Sequence, residues 1–489
     1  MHPRTITSAM RPPLVSRHMY RARGLATAAA QSQGKKEGDI SSVFVSLSGA
    51  KAQALPERFR QLKQSLIAGH EDAVVASWGR LLSRLQVETQ VVVGKGPAII
   101  PSVEFKNLQS DLDRLSAEIK LRGAAVVRGV IDEQEARSYK EEVEEYVRKN
   151  PHTKAFPANN PQVFELYWSA PQLKARSHPN LLATQSALMQ KLWHFSPGDP
   201  ISLEPLSYAD RLRIRQPGDA TFALGPHIDG GGVERWERRG YGVGGVYDSV
   251  FRGAWESYDP WNAGPRIRAV TDLYNGSGAC SMFRMFQGWL SMSHSGPRHG
   301  TLLVNPMLQL SMAYLLLRPF FALRRDGAGP GFLDADNWVF TAGESMTSEL
   351  QGASPGHAQE LNDALHPHLQ LERTMVHMPE IKPGDYVVWH CDQIHSVDKV
   401  HEGTSDSSVM YIPVCPITEQ NLEYLKHQRE AFLAGTPGPD FPGGKGESDH
   451  IGRPSAEFLS PNDEGRRAMG LEPLQNVSVI GQANAVLEF

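Results

Sequence analysis

Gly225-Pro226-His227-Ile228-Asp229-Gly230-Gly231-Gly232 sets an imidazole and a carboxylate two residues apart and follows them with three glycines. In a β-strand, residues i and i+2 point to the same face. If this stretch is extended, His227 and Asp229 converge above one side of a sheet. A His-x-Asp pair joined by one distant histidine is the ligand set of the 2-His-1-carboxylate facial triad, which leaves positions open on a non-heme Fe(II). The reading then turns on whether the chain supplies a third ligand and a sheet to hold all three. The glycines fit close approach of backbone or co-substrate, and equally a plain turn.

The third ligand is sought around residues 383–396, where turn, apolar strand and histidine come together. Pro383-Gly384-Asp385 is a turn, Tyr386-Val387-Val388-Trp389-His390-Cys391 is a strand, and Gln393-Ile394-His395-Ser396 lies just beyond. His390 and His395 compete. His390 follows the apolar run and can simply pack beside Trp389. His395 sits after a bend, where a ligand can meet the side chains of another strand. His294, His299, His377 and His401 read as surface or structural histidines.

The 489 residues suffice for a large core. Forty per cent hydrophobic and 21% charged residues are ordinary for a globular enzyme. The 44 glycines and 34 prolines favour a strand-rich core over a helical bundle. A formal net charge of −4 argues against a general binder of nucleic acid or anionic membranes. No window approaches the length of apolar run that crosses a bilayer. The three cysteines, Cys280, Cys391 and Cys415, make neither a disulfide framework nor a Cys-based zinc site, and point to a reducing compartment. The sequence leaves the oligomeric state open.

Residues 1–40 carry Arg4, Arg11, Arg17, Arg21 and Arg23 and no acid before Glu37. That is the composition of a disordered mitochondrial presequence, which implies the matrix; a basic tail on a cytoplasmic protein is the alternative. Residues 41–120 read as a helical extension. Phe59, Leu62, Leu66, Val74, Trp78, Leu81 and Leu85 recur at helical spacing, Glu88 to Ile100 is β-branched, and a second helix, Phe105 to Leu121, stops at Gly123. A short strand from Gly123 to Ile131 leads to Asp132 and Glu135, a capping-box pattern opening a helix with a buried stripe of Ala136, Tyr139, Val143, Tyr146 and Val147. Arg211, Arg213 and Arg215 alternate along a strand, usually a sign of an exposed or ion-paired face. Residues 233–275 read as an ordered insertion whose Trp236, Trp255, Tyr258 and Trp261 either wall a pocket or pack the insertion itself.

Taken together, Gly225-Pro226-His227-Ile228-Asp229 and the block Gly384 to Ser396 resemble the Fe(II)/2-oxoglutarate-dependent oxygenase superfamily, within it the phytanoyl-CoA dioxygenase-like branch. The phrases Tyr208-Ala209-Asp210-Arg211-Leu212-Arg213, His227-Ile228-Asp229-Gly230-Gly231 and Trp389-His390-Cys391-Asp392 resemble a narrower group, domain-of-unknown-function family 1479, over roughly residues 100 to 470. The resemblance implies an α+β fold with a double-stranded β-helix, or jelly roll, surrounded by helices. The catalytic domain would span 121–420, with insertions near 233–275 and 307–375, and residues 421–489 would form a C-terminal helix and extended strap on the same domain. It implies Fe(II) held by His227, Asp229 and His395, with 2-oxoglutarate and O2 as co-substrates, and it favours His395 over His390.

One departure stands out. The branch places an arginine some way after the distal histidine to clamp the far carboxylate of 2-oxoglutarate, whereas this chain reads Ser405-Asp406-Ser407-Ser408 there. Arg284 is the preferred substitute, since a fork of donors suits a carboxylate; Arg213 and Lys399 are the other candidates. The leading expectation is an oxygenase acting on a small molecule. A protein hydroxylase with the same iron and a metal-binding jelly roll without turnover are the alternatives.

Overall fold

Strand Tyr386–His390 turns Val387 and Trp389 to one side of a sheet and Tyr386 and Val388 to the other, and both sides are buried. A strand buried on two faces must lie inside a layered core. In the computed structural model, which describes residues 35, 37–49, 54–221, 223–277, 279–324, 331–441, 443–459, 463–475 and 483–489, it sits within an eight-stranded sheet. The order is Ser102–Glu104, Ala124–Arg128, Tyr386–His390, Phe286–Ser291, Ser407–Tyr411, Leu212–Arg215, Val163–Phe164 and Ala155–Phe156. The first two strands pair in parallel and the rest antiparallel.

A five-stranded antiparallel sheet shares the inner core: Gln359–Glu360, Leu224–Ile228, His395–Val397, Leu302–Val304 and Val376–His377. Val387, Trp389, Trp289 and Val409 of the large sheet meet Leu224, Ile228, Leu302, Val304 and Val397 of the smaller one in a single cluster. The other face of the large sheet, with Val127, Val388, Leu290 and Met410, is covered by Leu112, Ile119, Tyr139, Val143 and Leu188 from three helices. The fold is therefore mixed α+β, with sheets inside and helices outside.

The helices begin and end for local reasons. Leu108–Arg122 stops at Gly123, whose φ of 74° is the left-handed cap conformation that costs glycine nothing. Glu133–Lys149 starts at Asp132, which accepts from the backbone N–H of Gln134 and Glu135. The return half of the expected capping box is absent: Glu135 instead accepts from the Tyr139 hydroxyl at 2.6 Å. The β-branched stretch after Glu88 is helical, because Glu71–Lys95 continues through Val91-Val92-Val93. Burial of Thr89 and Val92 against the core outweighs their weak preference for strand.

The aromatic insertion packs on itself and on its neighbours. Trp236 donates to the Leu316 carbonyl at 3.2 Å, Trp255 to that of Ser77 at 3.2 Å and Trp261 to that of Lys120 at 3.1 Å. The alternating arginines are all buried, not exposed. Among the described residues, no helix is long and apolar enough to cross a membrane. The proposed presequence lies outside the described residues save for Lys35 and residues 37–40.

Candidate metal centre

His227 is near the end of strand Leu224–Ile228, and His395 opens strand His395–Val397; the two are direct cross-strand partners. Their rings therefore stand on the same face, with centroids 4.1 Å apart. One irregularity follows: His395 faces His227, but Val397 faces Leu224, so the first strand carries an extra residue between them. The extra residue falls at Gly225-Pro226, and proline cannot donate to a ladder, which makes this a natural place for a bulge.

The two imidazoles are held in the same way. Nδ1 of His227 donates to the Gly225 carbonyl at 2.7 Å, and Nδ1 of His395 to the Gln393 carbonyl at 3.0 Å. Each Nε2 is thereby left as a lone-pair acceptor, the form that binds metals. Both turn towards Asp229, at 3.7 Å from Oδ1 for His227 and 3.5 Å from Oδ2 for His395. One ligand atom from each of the three residues can be chosen so that all lie within 4.8 Å of one another. Burial, reinforced by the neighbouring His395, lowers His227 to about 4 and keeps it neutral. Burial works against the Asp229 carboxylate, but His395, His227 and Arg284 more than offset it and hold the acid ionised. Two imidazole nitrogens and one carboxylate around a common point fit a divalent first-row metal.

Asp229 is fixed from behind. With its amide oriented to satisfy both neighbours, Gln287 donates to Asp229 Oδ2 at 2.8 Å and accepts from Trp389 Nε1 at 3.3 Å. The buried guanidinium of Arg235 donates to the backbone carbonyls of Asp229, at 2.9 Å, and of Gly231. Neither residue was singled out from the sequence. Gln287 has a faint signal in hindsight, since it shares the inward face of its strand with Trp289. The glycines serve backbone approach: a Cβ on Gly231 would lie 2.8 Å from the Thr271 carbonyl, and one on Gly232 2.7 Å from that of His357.

The carboxylate of Asp229 is a quarter exposed, into a cavity of about 1030 Å³ counting the open solvent within its bounds. Leu224, Trp289, Trp389 and Tyr411 form its apolar interior, and Arg211, Glu234 and Arg284 its polar part. Arg284 precedes strand Phe286–Ser291 and lines the cavity beside Asp229. Among the described residues its guanidinium makes no hydrogen bond or ion pair. Burial opposes its charge, yet Cys280, Asp229, Tyr208 and Asp210 outweigh that and keep it protonated. Arg211 is engaged by Asp210 at 3.1 Å. Burial raises Glu234 to about 7.

The other two candidate anchors lie elsewhere. Lys399 is exposed and outside the cavity lining, and contributes only its backbone carbonyl to Arg215. Arg213 is fully buried behind Trp289, its guanidinium 4.6 Å from that ring, with one bond to the Gly300 carbonyl and with Nε and Nη1 unpartnered. Trp236, Trp255, Tyr258 and Trp261 are absent from the cavity wall. Their place is taken partly by Ile40, Val43 and Phe44 from the N-terminal segment, which no sequence motif marked.

His390, with Cys391 and Asp392, makes a second group with ligand atoms in mutual reach. It is already saturated. His390 stacks on Trp193 at 4.8 Å, donates to the Pro260 carbonyl at 3.0 Å and accepts from Asp392 N–H. Asp392 takes Arg266, Tyr247 and Tyr258.

A family model described as Gig2-like matches residues 53–471. The uncharacterised Escherichia coli K12 protein YbiU is 30% identical over 433 residues, covering 84% of this chain and 96% of its own. The crystal structure of GlcNAc Inducible Gene 2 of Candida albicans, of domain-of-unknown-function family 1479, superposes with a TM-score of 0.78 at 32% identity, over 90% of this chain and 96% of that one. A Salmonella typhimurium LT2 protein called "Putative Oxidoreductase" superposes with a TM-score of 0.72 at 31% identity, over 86% and 99%.

Proposed function

The chain belongs to the Gig2-like family, numbered 1479 among domains of unknown function, and on that premise we propose that it is a non-heme Fe(II)- and 2-oxoglutarate-dependent oxygenase that hydroxylates a small molecule. The observation that carries this reading is the convergence of His227, Asp229 and His395 on one point facing a cavity, with both Nδ1 atoms tied to carbonyls. The oxidoreductase name of the Salmonella relative agrees with it. The two sheets with a common interior support the finer reading of the core as a double-stranded β-helix.

Iron held there, with 2-oxoglutarate and O2, supplies an oxidant for a C–H bond while the co-substrate leaves as succinate and CO2. The chain's own residues do the positioning. Gln287 and Arg235 fix the carboxylate and its turn; Trp289, Trp389 and Leu224 keep water from the interior; Arg284 offers an unpaired fork of donors to the co-substrate's far carboxylate. The wall formed by Ile40, Val43 and Phe44 narrows the cavity, which favours a small molecule over a folded protein as substrate.

The test is anaerobic loading with Fe(II), then O2 and 2-oxoglutarate, with succinate as readout. Wild type is expected to form succinate, His227→Ala to form none, and Arg284→Met to raise the KM for 2-oxoglutarate. Metal binding without succinate under every substrate tried would favour a metal-binding protein without turnover. We further propose a mitochondrial matrix location on the basic, acid-free composition ahead of Glu37, with cleavage before Lys35 so that Lys35 and Ile40 stay in the mature chain. Import into isolated mitochondria tests this, and retention of a fusion in the cytoplasm overturns it.

A further inference from the structure

Lys35 and residues 37–48 run across the cavity from one side to the other. At one end the Lys35 ammonium is held by Asp272 at 2.5 Å, Asp440 at 2.9 Å and the Ala279 carbonyl. Those acceptors are themselves fixed, Asp440 by the Tyr208 hydroxyl and the Ser281 N–H, each at 2.8 Å. At the other end Ala358 N–H donates to the Val43 carbonyl at 2.9 Å, and Ser46 N–H to Glu360 at 3.1 Å. Glu360 lies opposite His227 in the smaller sheet. Between these anchors Ile40, Val43 and Phe44 face the cavity, and the Phe44 ring meets His227 edge-on at 4.7 Å.

We propose that this segment is the movable wall of the chamber, with Phe44 limiting what reaches the Nε2 atoms of His227 and His395 and the Lys35 ion pair acting as its latch. The proposal deepens the oxygenase reading and rests on His227, Asp229 and His395 as metal ligands. A segment built of two single helical turns depends on its anchors to stay closed: the Lys35 ion pair at one end, the Val43 and Ser46 bonds at the other, and the buried Ile40 and Phe44 between them. The latch is a buried ion pair, and removing the cation leaves two acids facing each other, which favours release. A ring packed against a ligand imidazole sets the free space on that side of the metal.

The test uses the full-length protein loaded with Co(II), whose visible spectrum reports an added ligand, and titrates it with imidazole. Phe44→Ala is expected to tighten imidazole binding by about tenfold and Lys35→Met by about threefold. Leu47→Ala, at a side chain that faces solvent, is expected to change nothing. The same protein without metal gives a second reading: Cys280 lines the cavity, and Lys35→Met is expected to speed its labelling by a small maleimide about fivefold. Loss of Lys35 by itself would make that thiol less acidic, so faster labelling reports access. Unchanged imidazole affinity in both variants, or unchanged Cys280 labelling in Lys35→Met, overturns the movable wall. A Co(II) spectrum insensitive to His227→Ala is a failure of the metal assignment instead, and the labelling result then judges the wall alone.

Discussion

His395 and His390 stand five residues apart in one segment, and each has an acid and a further donor within ligand reach. Their surroundings differ in one respect. Around His395 the backbone takes only Nδ1, and Nε2 is left facing Asp229 beside a cavity. Around His390 both nitrogens are taken, the ring is stacked, and the adjacent Asp392 is bonded by an arginine and two tyrosines. The residue types overlap, although one group is brought together from two strands and the other from three successive residues. Whether such a group can take a metal depends on where its remaining hydrogen-bonding capacity goes.

The difference can be broken first at the ligands. Alanine at His227, Asp229 or His395 is expected to abolish stoichiometric Fe(II) or Co(II) binding measured by calorimetry, and Asp392→Asn to leave the stoichiometry at one. Metal bound equally well by all three alanine variants would reverse the assignment. The next effect falls on stability. Asp392→Asn leaves the Arg266 guanidinium buried without its counter-charge, at a cost of about 3–5 kcal/mol, read as a lowered midpoint in urea.

A pH experiment sharpens the contrast. Burial, helped by Arg266, lowers His390 from its ordinary 6.5 to about 3. Below pH 6.5 the unfolded chain takes up a proton that the folded one refuses, so its stabilising contribution is lost as pH falls from 6.5 towards 3. The share due to this residue is about 2 kcal/mol by pH 5. Urea unfolding at pH 7 and pH 5 should show that His390→Phe loses less stability on acidification than wild type, whatever the substitution costs at pH 7. The smallest effect is expected behind the metal: Gln287→Ala should weaken Co(II) binding by about tenfold with little change in Tm.

Local geometry was legible in the sequence. The i, i+2 spacing brought His227 and Asp229 to one face, Gly123 ended a helix, Asp132 began one, and the stripe Ala136, Tyr139, Val143 and Tyr146 is buried. What was not legible depends on partners far along the chain. Arg211, Arg213 and Arg215 share one alternation, yet one pairs with Asp210, one lies behind Trp289 and one holds Asp219. The aromatics at 236–261 could have walled a pocket, but their N–H groups find carbonyls in the helices around the core. Phe44 carries no motif at all; the long-range bonds of Lys35, Val43 and Ser46, with its own burial in the core, bring it to His227.

The extra residue at Gly225-Pro226 ties the hydrogen-bond ladder to the chemistry of the centre. The carbonyl that receives the His227 proton belongs to that irregular stretch. Deleting one residue there would restore an even ladder, and would at once change which carbonyl stands two residues before His227 to receive its proton. The irregular ladder and the choice of the bare nitrogen on His227 are thus one property of the backbone, and neither can be altered without the other.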